Sequence, residues 1–176
     1  MQKASDLTIV ACDGDREAEV ACLVLAAFRR RFGTGPEEVT ILSALRRAGD
    51  ALFELAAVED DSILGHAMFS TMRVTPAGRH VAALGPVAVR VDRQGRGIGE
   101  ALIRAGLERC RTMGIEAVAV LGDPSYYARF GFSAELAAPI ACAFAGPHFQ
   151  ALELCAGGLA GVSALDYAPA FQSPSM

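Results

Sequence analysis

Residues 93–102 read "RQGRGIGEAL". Glycine stands at 95, 97 and 99, with Arg93, Gln94 and Arg96 around it, and a helix-like run begins at once. A glycine-rich turn that opens a helix lets backbone N–H groups approach an anion closely, and the helix dipole adds attraction. The residue types therefore point to a ligand that carries phosphate. A tight left-handed turn using glycine for geometry alone is the competing reading. Two common nucleotide loops do not fit. The P-loop needs a Gly-Lys-Ser/Thr ending, which is missing here. The Rossmann fingerprint Gly-x-Gly-x-x-Gly/Ala fails in both registers: Glu100 takes the third glycine position from Gly95, and Leu102 takes it from Gly97.

The surroundings of the loop are as informative as the loop. Before it runs "VAALGPVAVRV" (81–91), a strand pattern, and after it residues 97–113 form the clearest helix in the chain. Glu100, Arg104, Glu108 and Arg111 make a polar stripe on that helix. Ile98, Ala101, Leu102, Ala105 and Met113 lie on another face, an arc into which Arg109 also falls. "IEAVAVLG" (115–122) is a continuous apolar run, as expected of a central strand covered on both sides. A strand, a helix and a strand in that order make a crossover whose two strands are parallel. Ahead lie "ALFELAAVE" (51–59) and "SILGHAMFSTMRVT" (62–75), joined by the acidic turn "EDDS" as a hairpin. Ahead of these come a short strand over Leu7–Cys12 and two helices. The first helix has Asp13 or Asp15 as N-cap and Val20, Leu23, Val24 and Ala27 at helical spacing, and the second starts at Pro36. "PSYYARF" (124–130) is a short helix with Asp123 as a cap or turn residue. "PIACAF" (139–144) and "FQALELC" (149–155) read as late strands, and "LDYAPAF" (165–171) closes the chain. The expected order is β-α-α-β-β-β-α-β-α-β-β, a mixed α/β fold in a single domain over residues 1–176.

Composition narrows the function classes. Apolar residues make up 52% of the 176 residues and charged ones 20%, which is globular and not disordered. A net charge of −4 lacks the basic footprint of a nucleic-acid binder. No apolar run approaches the length of a membrane span, and "MQKASDLTIVACDGD" carries no long apolar core before its acidic residues. The five cysteines, at 12, 22, 110, 142 and 155, are scattered and show no zinc spacing, so no metal site is expected. Buried free thiols and a cytoplasmic setting are the corresponding expectations.

One phosphate-loop register does fit: Gln/Arg-x-x-Gly-x-Gly/Ala, met by Gln94, Gly97 and Gly99. With "LGPVAV" before it, this resembles the acyl-CoA-binding motif of the GNAT superfamily of N-acetyltransferases. "YYARFGF" (126–132) is similar to that family's Tyr-x-x-x-Gly-Phe, with Tyr127 four residues ahead of Gly131. The element order resembles the whole GNAT fold from about Leu7 to Cys155, and the two motifs with "LDYAPAF" look like a subgroup of predicted bacterial N-acetyltransferases.

The resemblance implies a mixed central sheet with helices on both faces and acetyl-CoA as co-substrate. It implies that the main chain of Val87, Ala88 and Val89 pairs with the pantetheine arm while their side chains pack in the core. It implies that Gln94, Gly95, Arg96, Gly97, Ile98, Gly99 and Glu100 hold the pyrophosphate, largely through backbone N–H groups, with Arg93 or Arg96 adding charge. Tyr127 would protonate the departing thiolate, with Tyr126 as the competing donor. The acceptor is a primary amine of a small molecule or peptide, bound near the N-terminal helices, Glu54 and the late strands. A homodimer with late-strand exchange is compatible with the superfamily. The base that deprotonates the amine is not assigned: Glu54 lies in one strand and His66 and Ser70 on one face of the next, His66 is a candidate by its ordinary pKa or else a hydrogen-bonded structural residue, and a water relay is the alternative. A CoA-binding sensor or interaction module without catalysis is the alternative function on the same fold.

Overall fold

The structure, a computed structural model, describes residues 6–12, 14–33 and 35–172. Its elements in chain order are β1 (Thr8–Ala11), α1 (Glu17–Phe32), α2 (Pro36–Ala48), β2 (Ala51–Glu59), β3 (Ser62–Thr75), β4 (Val81–Val89), α3 (Ile98–Thr112), β5 (Ala117–Leu121), α4 (Pro124–Tyr127), α5 (Ala134–Ala137), β6 (Phe149–Glu153) and β7 (Ala164–Tyr167). The strands form a mixed seven-stranded sheet in the order β1-β2-β3-β4-β5-β6, with β7 on β3. No helix among the described residues is long and apolar enough to cross a membrane.

The chain divides into two compact units. The first comprises residues up to Met68 together with Pro86–Gly106. Here α1 buries Val20, Leu23, Val24 and Ala27, the four positions its periodicity marks, and α2 buries Leu42 and Leu45. Both helices end on glycines in the left-handed region, Gly33 and Gly49, where a side chain would be strained. The start of α1 differs from expectation. Its N-cap is Arg16, with no side-chain cap bond, because a 3-10 turn over Gly14–Arg16 takes up Asp15. Asp13 lies outside the described residues. β1 pairs antiparallel with β2, from Thr8 opposite Val58 to Ala11 opposite Leu55. The acidic turn behaves as expected: Asp60 and Asp61 both take positive φ, which a two-residue hairpin turn demands.

The second unit comprises Phe69–Gly85 and the chain from Leu107 onward. β4 and β5 pair in parallel over Val81–Leu84 and Ala117–Val120, as a crossover through α3 requires. β5 then pairs antiparallel with β6, and β7 with residues 72–75 of β3. The core of this unit gathers Val81, Ala83, Ala117, Ala119, Phe149, Ala151, Leu165 and Tyr167. Residues 139–144 do not form the expected strand. They make a single bridge, Ala141 to Ala164, and the last strand comes instead from residues 164–167, where Leu165 and Tyr167 alternate inward. Helix α3 departs in part from expectation: besides Gly99 and Gly106 its buried residues are Ile98, Leu102, Ile103, Leu107 and Cys110, while Arg109 and Met113 are exposed. Ile98 and Leu102 of the expected face are buried, Ala101 and Ala105 only half-buried, and the arc runs on through Ile103, Leu107 and Cys110, which leaves Arg109 outside it. Of the cysteines only Cys110 is buried, and burial pushes its thiol up to about 12. Cys12 and Cys142 are half-buried and Cys22 and Cys155 exposed, so burial of all five thiols is corrected.

Candidate active site

The glycine loop leaves β4 through a 3-10 turn over Val91–Arg93. Gly95 and Gly97 then take φ of +74° and +80°, values a residue with a Cβ rarely adopts. A Cβ built on either would meet no atom within 4 Å, so the loop faces open space. Helix α3 starts at Ile98, and the first loop carbonyl it captures is that of Gly97, bonded by the Ala101 amide at 3.0 Å. The amides of its first turn have no intrahelical acceptor. Exposed glycines at a helix N-terminus can cradle a phosphate.

The side chains of the loop divide into clasps and one free charge. The Gln94 amide donates to the Val89 carbonyl at 3.1 Å and ties the loop to the strand end. Arg93 donates to Glu59 at 2.8 Å, and Glu100 accepts from Arg104 at 2.9 Å. Arg96 is exposed and has no ion-pair partner among the described residues. Along β4, Ala88 is buried while Val87 and Val89 are half-buried, so the packing expected of all three holds fully for Ala88 alone. One supporting residue is invisible to motif reading. A Cβ on Gly65 would come within 2.9 Å of both Ile98 and Leu102, so this glycine lets the first turn of α3 press against β3. The available signal was a lone glycine inside the apolar strand "SILGHAMF".

In the second unit, Asp123 caps α4, accepting from the Ser125 amide at 2.9 Å and its hydroxyl at 2.7 Å. Tyr127 ends that helix with its ring laid over Gly122, where a Cβ would fall 2.5 Å from Cε2. Phe132, buried, supports the ring edge-on at 5.7 Å. Gly131 makes the turn between them at φ +95°, which explains why glycine and phenylalanine follow the tyrosine at those distances. Tyr126 is placed differently. The Arg129 guanidinium sits 4.4 Å from its ring centroid and donates to its carbonyl at 2.9 Å. Gln150, buried, donates to the Gly122 carbonyl at 3.1 Å and fixes the turn under Tyr127. Nothing in the order of the sequence marks Gln150 for that task.

Glu54, His66 and Arg46 form a charged network in the first unit. Arg46 binds both Glu54 oxygens, at 2.8 and 2.7 Å, and His66 Nε2 meets Oε2 at 2.6 Å. Burial raises the Glu54 pKa, but the bonds from Arg46 and then His66 outweigh it and bring the carboxyl down to about 2. A carboxylate held so firmly in its charged form is a poor proton acceptor near neutrality. His66 is fully buried, and its Nδ1 has no partner among the described residues. Ser70 is also fully buried. Cys12, Glu54 and His66 place one donor atom each within 4.8 Å of one another, a set that could hold a metal ion. The guanidinium of Arg46 already sits on the carboxylate of that set. Arg46 also lines a cavity of about 220 Å³ between α1 and α2, with Glu17, Ala21, Val39 and Ser43.

The chain is similar to known proteins along most of its length. The acetyltransferase (GNAT) family profile matches residues 16–132. An uncharacterized N-acetyltransferase of Escherichia coli strain K12, YhbS, is 30% identical over 142 residues, covering 79% of this chain and 85% of that protein. The crystal structure of Escherichia coli YhbS in complex with CoA matches with a TM-score of 0.88 at 26% identity, covering 100% of this chain and 97% of the other. A GNAT family acetyltransferase from Brucella melitensis, solved in complex with acetyl-CoA, matches with a TM-score of 0.79 at 34% identity, covering 95% and 99%.

Proposed function

Because this chain belongs to the GNAT family of acetyltransferases, we propose that it transfers an acetyl group from acetyl-CoA to a primary amine of a small molecule or peptide. Residues 1–176 would form one N-acetyltransferase domain working in the cytoplasm. The observation that carries it is the loop ahead of α3, where two left-handed glycines face open space beside a helix N-terminus. Two solved relatives hold CoA or acetyl-CoA. Here the pyrophosphate would sit on the amides of residues 95–100, with Arg96 adding charge and Gln94 holding the loop. The main chain of Val87, Ala88 and Val89, beyond the stretch of β4 registered with β5, would pair with the pantetheine arm.

In the reaction the amine nitrogen attacks the thioester carbonyl carbon. The C–S bond breaks, its electron pair stays on sulfur, and the sulfur takes the proton of the Tyr127 phenol. The amine must lose a proton first. Glu54, held ionised in its ion pairs, is unsuited to take it, which favours relay through water. Attack on a thioester calls for no Lewis acid. The α1–α2 cavity, with Glu17 and Arg46 on its wall, suits the amine-bearing substrate. The presence of Tyr127 on its glycine platform favours an enzyme over a silent CoA-binding module.

Tyr127→Phe tests the reading. Turnover is expected to fall by ~100-fold, in the range of general acid catalysis, while acetyl-CoA affinity by calorimetry stays within about twofold. Wild-type turnover in that variant would remove Tyr127 from the chemistry.

A further inference from the structure

The closing motif "LDYAPAF" finds no place in the reaction above, yet it carries an unusual group. Tyr167, at the end of β7, is 5% exposed, and its hydroxyl has no hydrogen-bond partner among the described residues. The ring cannot turn out to water. Phe144 lies 5.3 Å from its centroid, Phe171 5.1 Å and Phe149 6.4 Å, all edge-on. A buried hydroxyl without a partner weakens the fold, and phenylalanine would fill the same space without that cost. Phe149 also gives the location. It stands opposite Leu121 in the β5–β6 register, and the next residue is Gly122, on which the Tyr127 ring rests. Both phenols therefore lie about the same end of β5.

We propose that Tyr167 is a positioning residue for acyl transfer: its buried hydroxyl donates a hydrogen bond to the Tyr127 phenolate that forms as Tyr127 protonates the CoA thiolate. The inference rests on the role given to Tyr127 above. The proton moves from the Tyr127 oxygen to the CoA sulfur, and solvent later returns one to Tyr127. Tyr167 keeps its own proton throughout. Burial, then the Cys142 thiol and the Tyr127 phenol, push its pKa up, so it stays a neutral donor across the working range. A donor unpaired in the resting protein and paired once charge develops stabilises the transition state selectively.

The test is a double-mutant cycle of Tyr127→Phe and Tyr167→Phe in the full chain, with kcat, acetyl-CoA affinity and melting temperature measured for each. Tyr167→Phe is expected to lower kcat ~10- to 100-fold, as loss of a preorganised donor does, with affinity unchanged. It should raise Tm by about 2–4 °C, because an unsatisfied group is removed. In the Tyr127→Phe background the same change should alter kcat by less than about twofold, since the group it serves is gone. A wild-type kcat for Tyr167→Phe, an undiminished loss in the Tyr127→Phe background, or a fall in Tm would each overturn the inference. If Tyr127→Phe alone turns over normally, the role of Tyr127 fails first. If it is impaired while Tyr167→Phe is not, only the present inference fails.

Discussion

Replacing Glu54 by glutamine should destabilise the protein in a way that depends on pH. The wild-type carboxylate accepts two bonds from Arg46 and one from His66, and its side chain is 11% exposed. Glutamine loses the charge and must turn an N–H₂ group toward one of those donors. The carboxyl pKa falls from an ordinary 4.5 to about 2, and at about 1.4 kcal/mol per pH unit this corresponds to at most about 3 kcal/mol. Solvent reaches part of the network, which brings the expected figure to about 2 kcal/mol. The folded pKa lies below the unfolded one. The stabilisation is therefore complete above 4.5 and is lost as pH falls through about 2. Urea unfolding of wild type and Glu54→Gln at several pH values measures this directly. The stability gap should be about 2 kcal/mol at neutral pH and should narrow steadily below 4.5. A gap that ignores pH, or one below about 0.5 kcal/mol at neutrality, would refute the network as a source of stability.

Four further variants have expected outcomes. Gly97→Val forces a β-branched residue to φ +80° and fills the space above the loop, so acetyl-CoA affinity should drop at least ~10-fold while circular dichroism stays native. Arg96→Ala should weaken acetyl-CoA binding about three- to tenfold and flatten its salt dependence, whereas Arg93→Ala should act mainly on stability through Glu59, by about 1 kcal/mol in thermal unfolding. Gly122→Ala places a methyl against the Tyr127 ring, so steady-state kinetics should show a fall in kcat with acetyl-CoA affinity retained.

The two motifs were legible because glycine is a local requirement. Gly95, Gly97 and Gly131 take positive φ, and the chain states that need in the residue itself. The buried face of α1 was legible for the same reason, since one helix period sets it. What stayed hidden depends on partners far along the chain. Glu54 reads only as an acidic residue in a strand near the substrate side, and its ion pair with Arg46 and contact with His66 come from folding. Gln150 has no motif, and its task exists only because Gly122 lies beside it in space. The segment 139–144 looks as strand-like as 164–167, and pairing with residues 72–75 of β3 decides between them. The full buried arc of α3 is not legible because the half-exposed Ala101 and Ala105 carry little information about which side faces inward.

The central claim is acyl transfer, and the most direct measurement is the release of CoA from acetyl-CoA across a panel of primary amines and peptides, with the acetylated product identified by mass spectrometry. Amine-dependent release, equal in amount to an N-acetylated product, is expected for at least one acceptor. Firm acetyl-CoA binding with no amine-dependent release across a broad panel would contradict it and leave the chain a CoA-binding module.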